Sequence, residues 1–463
     1  MSYFQFSLAE ELLQIAQTIH DAGGNALLVG GAVRDLLLGS SSKDMDLEIY
    51  GISPEKLSGI LSSFGAVNAV GKSFGVLKLS TAEGEYDVSI PRRDNKTGKG
   101  HRGFLIEADP EMSQQEAFSR RDFTINAIGY DLCRQQLIDP FHGIQDLEQR
   151  LIRHVGSSFG EDPLRVVRAM QFAGRFEFEI AEPTVQLCQQ MDLTELPRER
   201  LFGEFNKLFL RAEKPSLGLK AAERLGILPI FPELDALRGV PQDPEWHPEG
   251  DVWVHTLMVM DEAAKLKNGN EAEDLALMYG ALCHDFGKPL TTVFQDERWR
   301  SPAHESRGTE PTLSFMHRLT DHQELIDKVV LYVQEHLKPA HFYKVKEQIR
   351  DGAIRRLALK INIPDLLKVA TADHFGRTTP DALAREFPAA EWLLSRAQSL
   401  EITASAPKPI LMGRHLLELG MKPGPAMGNL LKEAFELQLD GELTTLESCL
   451  SWAKLQICNG LVE

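Results

Sequence analysis

Cysteine is scarce and scattered: the five residues Cys133, Cys188, Cys283, Cys449 and Cys458 form no CxxC pair. Neither a disulfide framework nor a thiolate zinc site is expected, and the thiols read as reduced and mostly buried. No apolar run is long enough to cross a bilayer, which excludes a membrane protein built on spanning helices. The opening MSYFQFSLAEELLQIAQTIH lacks the basic start, apolar core and small-residue cleavage site of a secretory signal, so the expected compartment is the cytoplasm. Internal repeats and low-complexity tracts are also missing. Basic charge is in deficit, with 50 Lys and Arg against 67 Asp and Glu, a net −17. That balance argues against nucleic-acid binding through a general basic surface. It leaves room for a local one, because Arg92, Arg93, Lys96, Arg102, Arg120, Arg121, Arg165 and Arg168 crowd the N-terminal half.

What is present exceeds one ordinary hydrophobic core, so two or more domains are expected from 463 residues. ALLVGGAVRDLLLGSSSKDMDLEIYG reads as a strand, a Gly-Gly turn, a short helix and a second strand with alternate acids. GVLKLS and GEYDVSI continue the β character, which predicts a mixed α/β domain over 1–140. PRRDNKTGKGHRGFLIEADPEM, polar and rich in Gly and Lys, reads as a mobile loop. From about Gln145 the pattern turns helical, giving a second region over 141–235. The Pro-rich PELDALRGVPQDPEWHPEGD marks a boundary. Successive helices follow over 245–380, and a last helical segment over 381–463.

Asp44 and Asp46 stand two apart on an expected strand, so their side chains share a face and can hold Mg2+ jointly. Alone, such a pair is more often solvated surface. Gly30 and Gly31, however, lie between strand and helix, where backbone N–H groups can approach a phosphate, and Arg34 follows within one turn. The combination points to nucleotide binding.

LLVGGAVRDLLLG with DMDL resembles the head motif of the class II tRNA nucleotidyltransferases and their bacterial poly(A) polymerase relatives. RRDFTINAIGYD, from Arg120 to Asp131, is similar to the RRDxTxNA block of that family, and EDPLRVVRAMQFAGRF, from Glu161, to its EDxxR block. The resemblance implies a polymerase β-like α/β nucleotidyltransferase head, then an all-α neck and body. It implies Asp44 and Asp46 as the catalytic acids, and Gly30, Gly31, Arg34, Arg121, Asp162, Arg165 and Arg168 as nucleotide-binding residues. On a helix, Asp162 and Arg165 would project from one face and could imitate a complementary base edge, selecting C or A; a surface ion pair is the alternative reading. Gln171 departs from the pattern, since relatives commonly carry Arg there. Asp87 is a candidate third acid, with Glu85 as near by sequence, and Arg92, Arg93 and Lys96 lie in the loop that the family uses to change from C to A addition.

His255, the adjacent His284 and Asp285, and Asp373 follow the H…HD…D order of HD-domain metallohydrolases, each on an expected helix. Four ligand-type residues in that order, with CHDFGKP intact, are hard to attribute to packing. Lys288 is placed to contact phosphate, and His304 and His336 resemble the extra ligands of more His-rich HD sites. The full reading is therefore an enzyme that adds CCA to the 3′ end of tRNA from CTP and ATP, with Mg2+ at the transferase site and a divalent metal at an all-α HD phosphohydrolase domain. No obligate protein partner is expected. Alternatives with the same blocks are a CC-adding or A-adding enzyme and a bacterial poly(A) polymerase. A signalling enzyme that combines transferase and HD activities is a rival of another class.

Overall fold

Asn25–Val29 (β1) is buried from Ala26 through Val29, as happens when both faces of a strand are covered. Part of that cover is the helix Glu10–Asp21, which packs on β1 and buries Leu12, Ile15, Ala16 and Ile19 at helical spacing. The computed structural model describes residues 6–40, 45–69, 76–96, 104–403 and 405–458. The chain divides into two compact units, Met1–Leu196 with Lys220–Ile227, and Pro197–Leu219 with Leu228–Glu463.

The first unit continues with Met45–Tyr50 (β2), Ala66–Ala69 (β3), Val76–Ser80 (β4), Glu85–Ser89 (β5), Arg92–Lys96 (β6), Phe104–Ala108 (β7), Gly129–Asp131 (β8) and Gln136–Ile138 (β9). Seven strands form one mixed sheet in the order β3-β4-β5-β2-β1-β8-β9. Only β2 and β5 run parallel; the other neighbours are antiparallel. Alternation sets their faces: Leu47 and Ile49 of β2 and Tyr86 and Val88 of β5 are buried, while Asp46, Glu48 and Asp87 point to the other side.

Two expectations need correction here. Arg92–Lys96 and Phe104–Ala108, read as loop, pair as an antiparallel ribbon from Arg92↔Ala108 to Lys96↔Phe104. Ladder bonding needs only backbone, so the polar sequence concealed it. The stretch read as uniformly helical from Gln145 contains a short parallel pair, Leu151–Ile152 with Glu179–Ile180. Its helices include Leu164–Phe176, which buries nine residues, and Glu182–Cys188.

In the second unit the helix Glu271–Cys283 is buried at every position from Asp274 to Cys283, the signature of a helix enclosed all round. Asn270 caps it, accepting from the Ala272 and Glu273 amides. Around it pack Arg198–Arg211, Val252–Lys265, Gln323–Glu335 and Ile363–Phe375. A hairpin absent from the sequence reading, Val293–Gln295 with Arg298–Arg300, turns through Asp296 and Glu297, both at positive φ (53° and 61°). That is a primed-turn geometry usually written with Asn and Gly, and Asp-Glu does not signal it. The C-terminal helices Gly413–Glu418, Pro425–Leu439 and Leu446–Cys458 share their own core of Leu416, Leu430, Ala434, Cys449 and Ala453. All five cysteines are free, and among the described residues no helix is long and apolar enough to cross a membrane.

Candidate functional site

The first site is assembled on the open face of the sheet. Asp46 of β2 is in register with Asp87 of β5, so the two carboxylates are cross-strand neighbours on one face. Glu48 follows two residues along the same face. Asp44 lies outside the described residues. Glu48 accepts from Tyr50 Oη and from Arg121 Nη2, the latter at 3.2 Å. Beside it opens a cleft of about 320 Å³, also lined by Arg92, Arg120, Arg121, Glu161 and Arg165. Four guanidiniums around one hollow make the local positive surface that the net charge conceals. Arg93 does not line it and is bonded to Asp109 and Glu116. The Lys96 side chain and Arg102 lie outside the described residues.

The glycine turn contributes differently from its expected role. Gly30 has φ 71° and a Cβ there would lie 2.7 Å from Arg121 Nη1, so the turn requires glycine both for conformation and for the closeness of Arg121. Its amide, however, is bonded to Ile128 O at 3.2 Å and is not free for a phosphate. Arg34 is buried: Nη1 donates to Asn126 Oδ1 at 2.5 Å, Nε donates to Asp35 at 2.8 Å, and the guanidinium lies over the Phe172 and Phe176 rings. Asn126 in turn donates to Asp122 Oδ1 at 2.9 Å, and Asp122 Oδ2 accepts from Arg168 Nε at 2.8 Å. Burial alone would raise the Asp122 carboxyl, but Arg168, Asn126 and the Phe123 amide hold it below its ordinary range. The three sequence blocks are thus joined through one polar relay, Arg34–Asn126–Asp122–Arg168.

Asp162 is not on the helix with Arg165, as the sequence suggested. It sits before Leu164–Phe176 in extended conformation, at φ −127° and ψ 101°, and its carboxylate accepts from the Leu164 amide at 3.1 Å. The following Pro163 favours that extended backbone. Arg165 donates to Ser158 O and Arg120 O, both at 2.7 Å, and burial lowers its pKa. Gln171 is buried, and neither end of its amide has a hydrogen-bond partner among the described residues.

The second site is buried in the helical bundle. His255 comes from Val252–Lys265, His284 caps the C-terminus of Glu271–Cys283 with Asp285 next, and Asp373 comes from Ile363–Phe375. His255 Nε2 is 3.2 Å from Asp373 Oδ1 and 3.9 Å from Asp285 Oδ2; His284 Nε2 is 3.1 Å from Asp285 Oδ2. His304 Nε2 is 3.3 Å from Asp285 Oδ1, and Lys288 Nζ 2.7 Å from Asp285 Oδ2. Three groups, His255–His284–Asp373, Asp285–His304–His336 and His247–Glu249–His255, each gather their ligand atoms within 4.8 Å.

Orientation is as telling as distance. The Nδ1 atoms of His284, His304 and His336 face the carbonyls of Ala281, Ser301 and Val333 at 2.7, 2.9 and 2.7 Å. That of His255 faces Glu249 Oε1 at 2.8 Å. Each ring is therefore fixed with Nε2 turned inward, the arrangement that metal-ligating histidines adopt, and His336 Nε2 has no partner among the described residues. Burial pushes the His336 imidazole down to about 3 and lowers His304 as well, keeping both in the neutral form a metal needs. Burial would raise Asp285, but His284 and Lys288 hold it well below the ordinary carboxylate range. The donor set of imidazoles and carboxylates fits a divalent cation.

Residues 26–153 match the family described as Poly A polymerase head domain, and 177–238 the one described as Probable RNA and SrmB- binding site of polymerase A. The Multifunctional CCA protein of Stenotrophomonas maltophilia (strain K279a) is 40% identical over 344 residues, 71% of this chain and 79% of that one. The chain belongs to the multifunctional CCA protein family. A second family member, from Xanthomonas campestris pv. campestris (strain B100), is 38% identical over 366 residues, 76% of this chain and 85% of its own. The fold is shared with the Bacillus stearothermophilus CCA-adding enzyme in complex with CTP, at TM-score 0.67 and 23% identity over 97% of this chain and 98% of that one. It is shared too with the Thermotoga maritima CCA-adding enzyme complexed with tRNA(CCA), at 0.59 and 20% over 97% and 96%.

Three residues of this family member escaped the sequence reading: His247, Glu249 and Arg377. The signal for the first two is the run His247-Pro248-Glu249, inside the stretch read as a boundary. Glu249 Oε1 accepts from His255 Nδ1 and, at 2.9 Å, from His247 Nδ1. Arg377, one turn beyond Asp373, bonds it at 3.0 and 3.1 Å.

Proposed function

We propose that this protein adds CCA to the 3′ end of tRNA from CTP and ATP without a template strand, and that its second unit carries a metal-dependent phosphohydrolase site. The observation that carries the first part is the Asp46–Asp87 pair on an open sheet face beside a cleft of four arginines, in a chain of the multifunctional CCA protein family. Asp46, with Asp44 and Asp87, would hold Mg2+, which when bound assists the attacking 3′-hydroxyl and neutralises charge on the departing pyrophosphate. Arg92, Arg120 and Arg121 receive the triphosphate. Gly30 lets Arg121 close on the turn, and Arg34 and Arg168 act from the relay, positioning the glycine turn and the helix that carries Arg165. Asp162 and Arg165 present an acceptor and a donor to the base edge, Arg165 exchanging its two carbonyl partners for the base. Nucleotide choice thus rests on backbone groups that trade places with a ligand.

In the second unit His255, His284, Asp285 and Asp373 would hold one divalent metal, with His304 and His336 facing the other side of Asp285. Such a centre supplies a nucleophilic water toward a phosphate ester. Lys288 and Arg377 neutralise the phosphate, and Glu249 fixes His255. We read the chain as a head over 1–140, a neck and body over 141–235, an HD domain over 245–380 and a C-terminal helical segment over 381–463, working in the cytoplasm. The test is incubation with Mg2+ and three tRNA transcripts ending before CCA, after the first C and after CC, with CTP, ATP or both. Ordered addition that stops after CCA is expected. Addition of only CC, only A, or an unlimited A tail would overturn the reading in favour of a relative.

A further inference from the structure

Asp46, Glu48 and Tyr50 alternate along β2, so they share one face and run in line from the acidic pair toward the core. Asp46 is in register with Asp87, and Tyr50 packs in the cluster of Leu27, Val29 and Phe118. Glu48 stands between them with 12% of its side chain exposed. Both of its oxygens are engaged: Tyr50 Oη donates to Oε1, and Arg121 Nη2 donates to Oε2 at 3.2 Å. A carboxylate in this place needs a reason, because the cleft it lines with four arginines is the one read as receiving a triphosphate, whose charge it repels. Arg121 supplies that reason. Its guanidinium rests over the Phe118 ring at 5.4 Å, and its Nη1 lies 2.7 Å from where a Cβ on Gly30 would stand. Its neighbours in the cleft are fixed otherwise, Arg120 on Arg92 O and Arg165 on the carbonyls of Ser158 and Arg120. The aim of Arg121 depends on a side chain, that of Glu48, where theirs depends on the backbone.

We propose that Glu48 is a positioning residue for nucleotide addition: braced by Tyr50, it fixes the Arg121 guanidinium so that the remaining N–H groups face the triphosphate. The inference rests on the reading of this cleft as the triphosphate site. A guanidinium carries five N–H groups in a planar fork, so holding one of them on a carboxylate sets the direction of the others. Unheld, the side chain spreads over many rotamers, and each incoming nucleotide must restore the order at a cost in affinity. The role calls for a hydrogen-bond acceptor more than for a charge. That separates Glu48 from Asp46, two residues away, whose proposed part is to hold a cation. An amide in place of the Glu48 carboxylate can keep both bonds, its oxygen accepting from Arg121 and its nitrogen donating to a Tyr50 hydroxyl turned to accept. As a ligand for Mg2+, the same amide would be a poor substitute for a carboxylate.

All five tryptophans lie in the second unit, so nucleotide binding in the first is followed by calorimetry with CTP and Mg2+, beside steady-state addition of CTP and ATP to tRNA transcripts. Glu48→Ala should weaken CTP binding and raise KM for both nucleotides by roughly tenfold, with kcat and the Mg2+ dependence little changed. Glu48→Gln should recover most of that loss, and Tyr50→Phe should fall between the two. In an Arg121→Ala background, Glu48→Ala should add no further loss, because the group it positions is gone. If the alanine variant does not fold, Glu48→Asp takes its place, since the shorter chain draws the acceptor away from Arg121 and predicts the same rise in KM. Equal losses of kcat in the alanine and glutamine variants, with a shifted Mg2+ requirement, would make Glu48 a metal ligand and overturn the proposal. An unchanged or lowered KM in Glu48→Ala would overturn it too, as would losses that add to those of Arg121→Ala. A wild type that binds no CTP would instead sink the reading of the cleft itself.

Discussion

The two sites use carboxylates in opposite surroundings. In the first unit Asp46 is half-buried and Asp87 exposed on an open sheet face, where water screens their mutual repulsion. Around them Arg165, Arg168 and Arg34 are already spent on protein acceptors. In the second unit Asp285 and Asp373 are buried among imidazoles whose far nitrogens are fixed. The first site is one that its ligand completes, and the second is one built before its ligand arrives. A site that stays wet tolerates an absent cation, whereas a dry one leaves polar atoms without partners and loses stability.

The largest effect that sharpens this contrast is Asp46→Ala, expected to lower nucleotide incorporation by on the order of 10³-fold, with tRNA affinity kept in a filter-binding assay. His336→Ala should leave incorporation unchanged, and a matching loss there would break the independence of the two sites. Next comes metal removal. Chelation should lower the melting temperature read by tryptophan fluorescence, hence that of the second unit, by roughly 5–10 °C, as loss of a ligand worth about 2.7 kcal/mol implies. An unmoved transition would mean that the cluster is stable empty.

The smallest effect concerns the first unit's relay. Asp122→Asn, which removes the carboxylate that Arg168 Nε bonds, should cost about 2 kcal/mol in urea unfolding at neutral pH. Because the Asp122 carboxyl is held below its ordinary value in the fold, its stabilisation is fully present above pH about 4 and fades as pH falls through the lowered value. The variant should therefore converge with the wild type in acid, and a constant difference at every pH would sink the assignment.

Much of this was legible in the chain. β1 follows from its apolar run, β2, β4 and β5 from alternation, and the helices Leu164–Phe176 and Arg198–Arg211 from apolar spacing. The H…HD…D order picked out residues that the fold gathers into one buried cluster, because those residue types seldom occupy a core without a reason. What remained hidden depends on partners far along the chain. The pairing of Asp46 with Asp87 needs strand order, which local pattern does not give. Asp162 left its helix because Pro163 follows it. Arg34 was expected at a phosphate and is instead bonded to Asn126, 92 residues on. Glu249 was overlooked because its Pro-rich setting resembles a linker.

The relay also bears on synthesis. Arg34 emerges early, yet the groups that hold it, Asn126, Phe172 and Phe176, follow much later. Until the helix Leu164–Phe176 has left the ribosome, Arg34 beside the glycine turn lacks its aromatic cover and the polar chain is unfinished. The matched head region ends at residue 153, so the segment recognisable by family is shorter than the segment that can close as a folding unit.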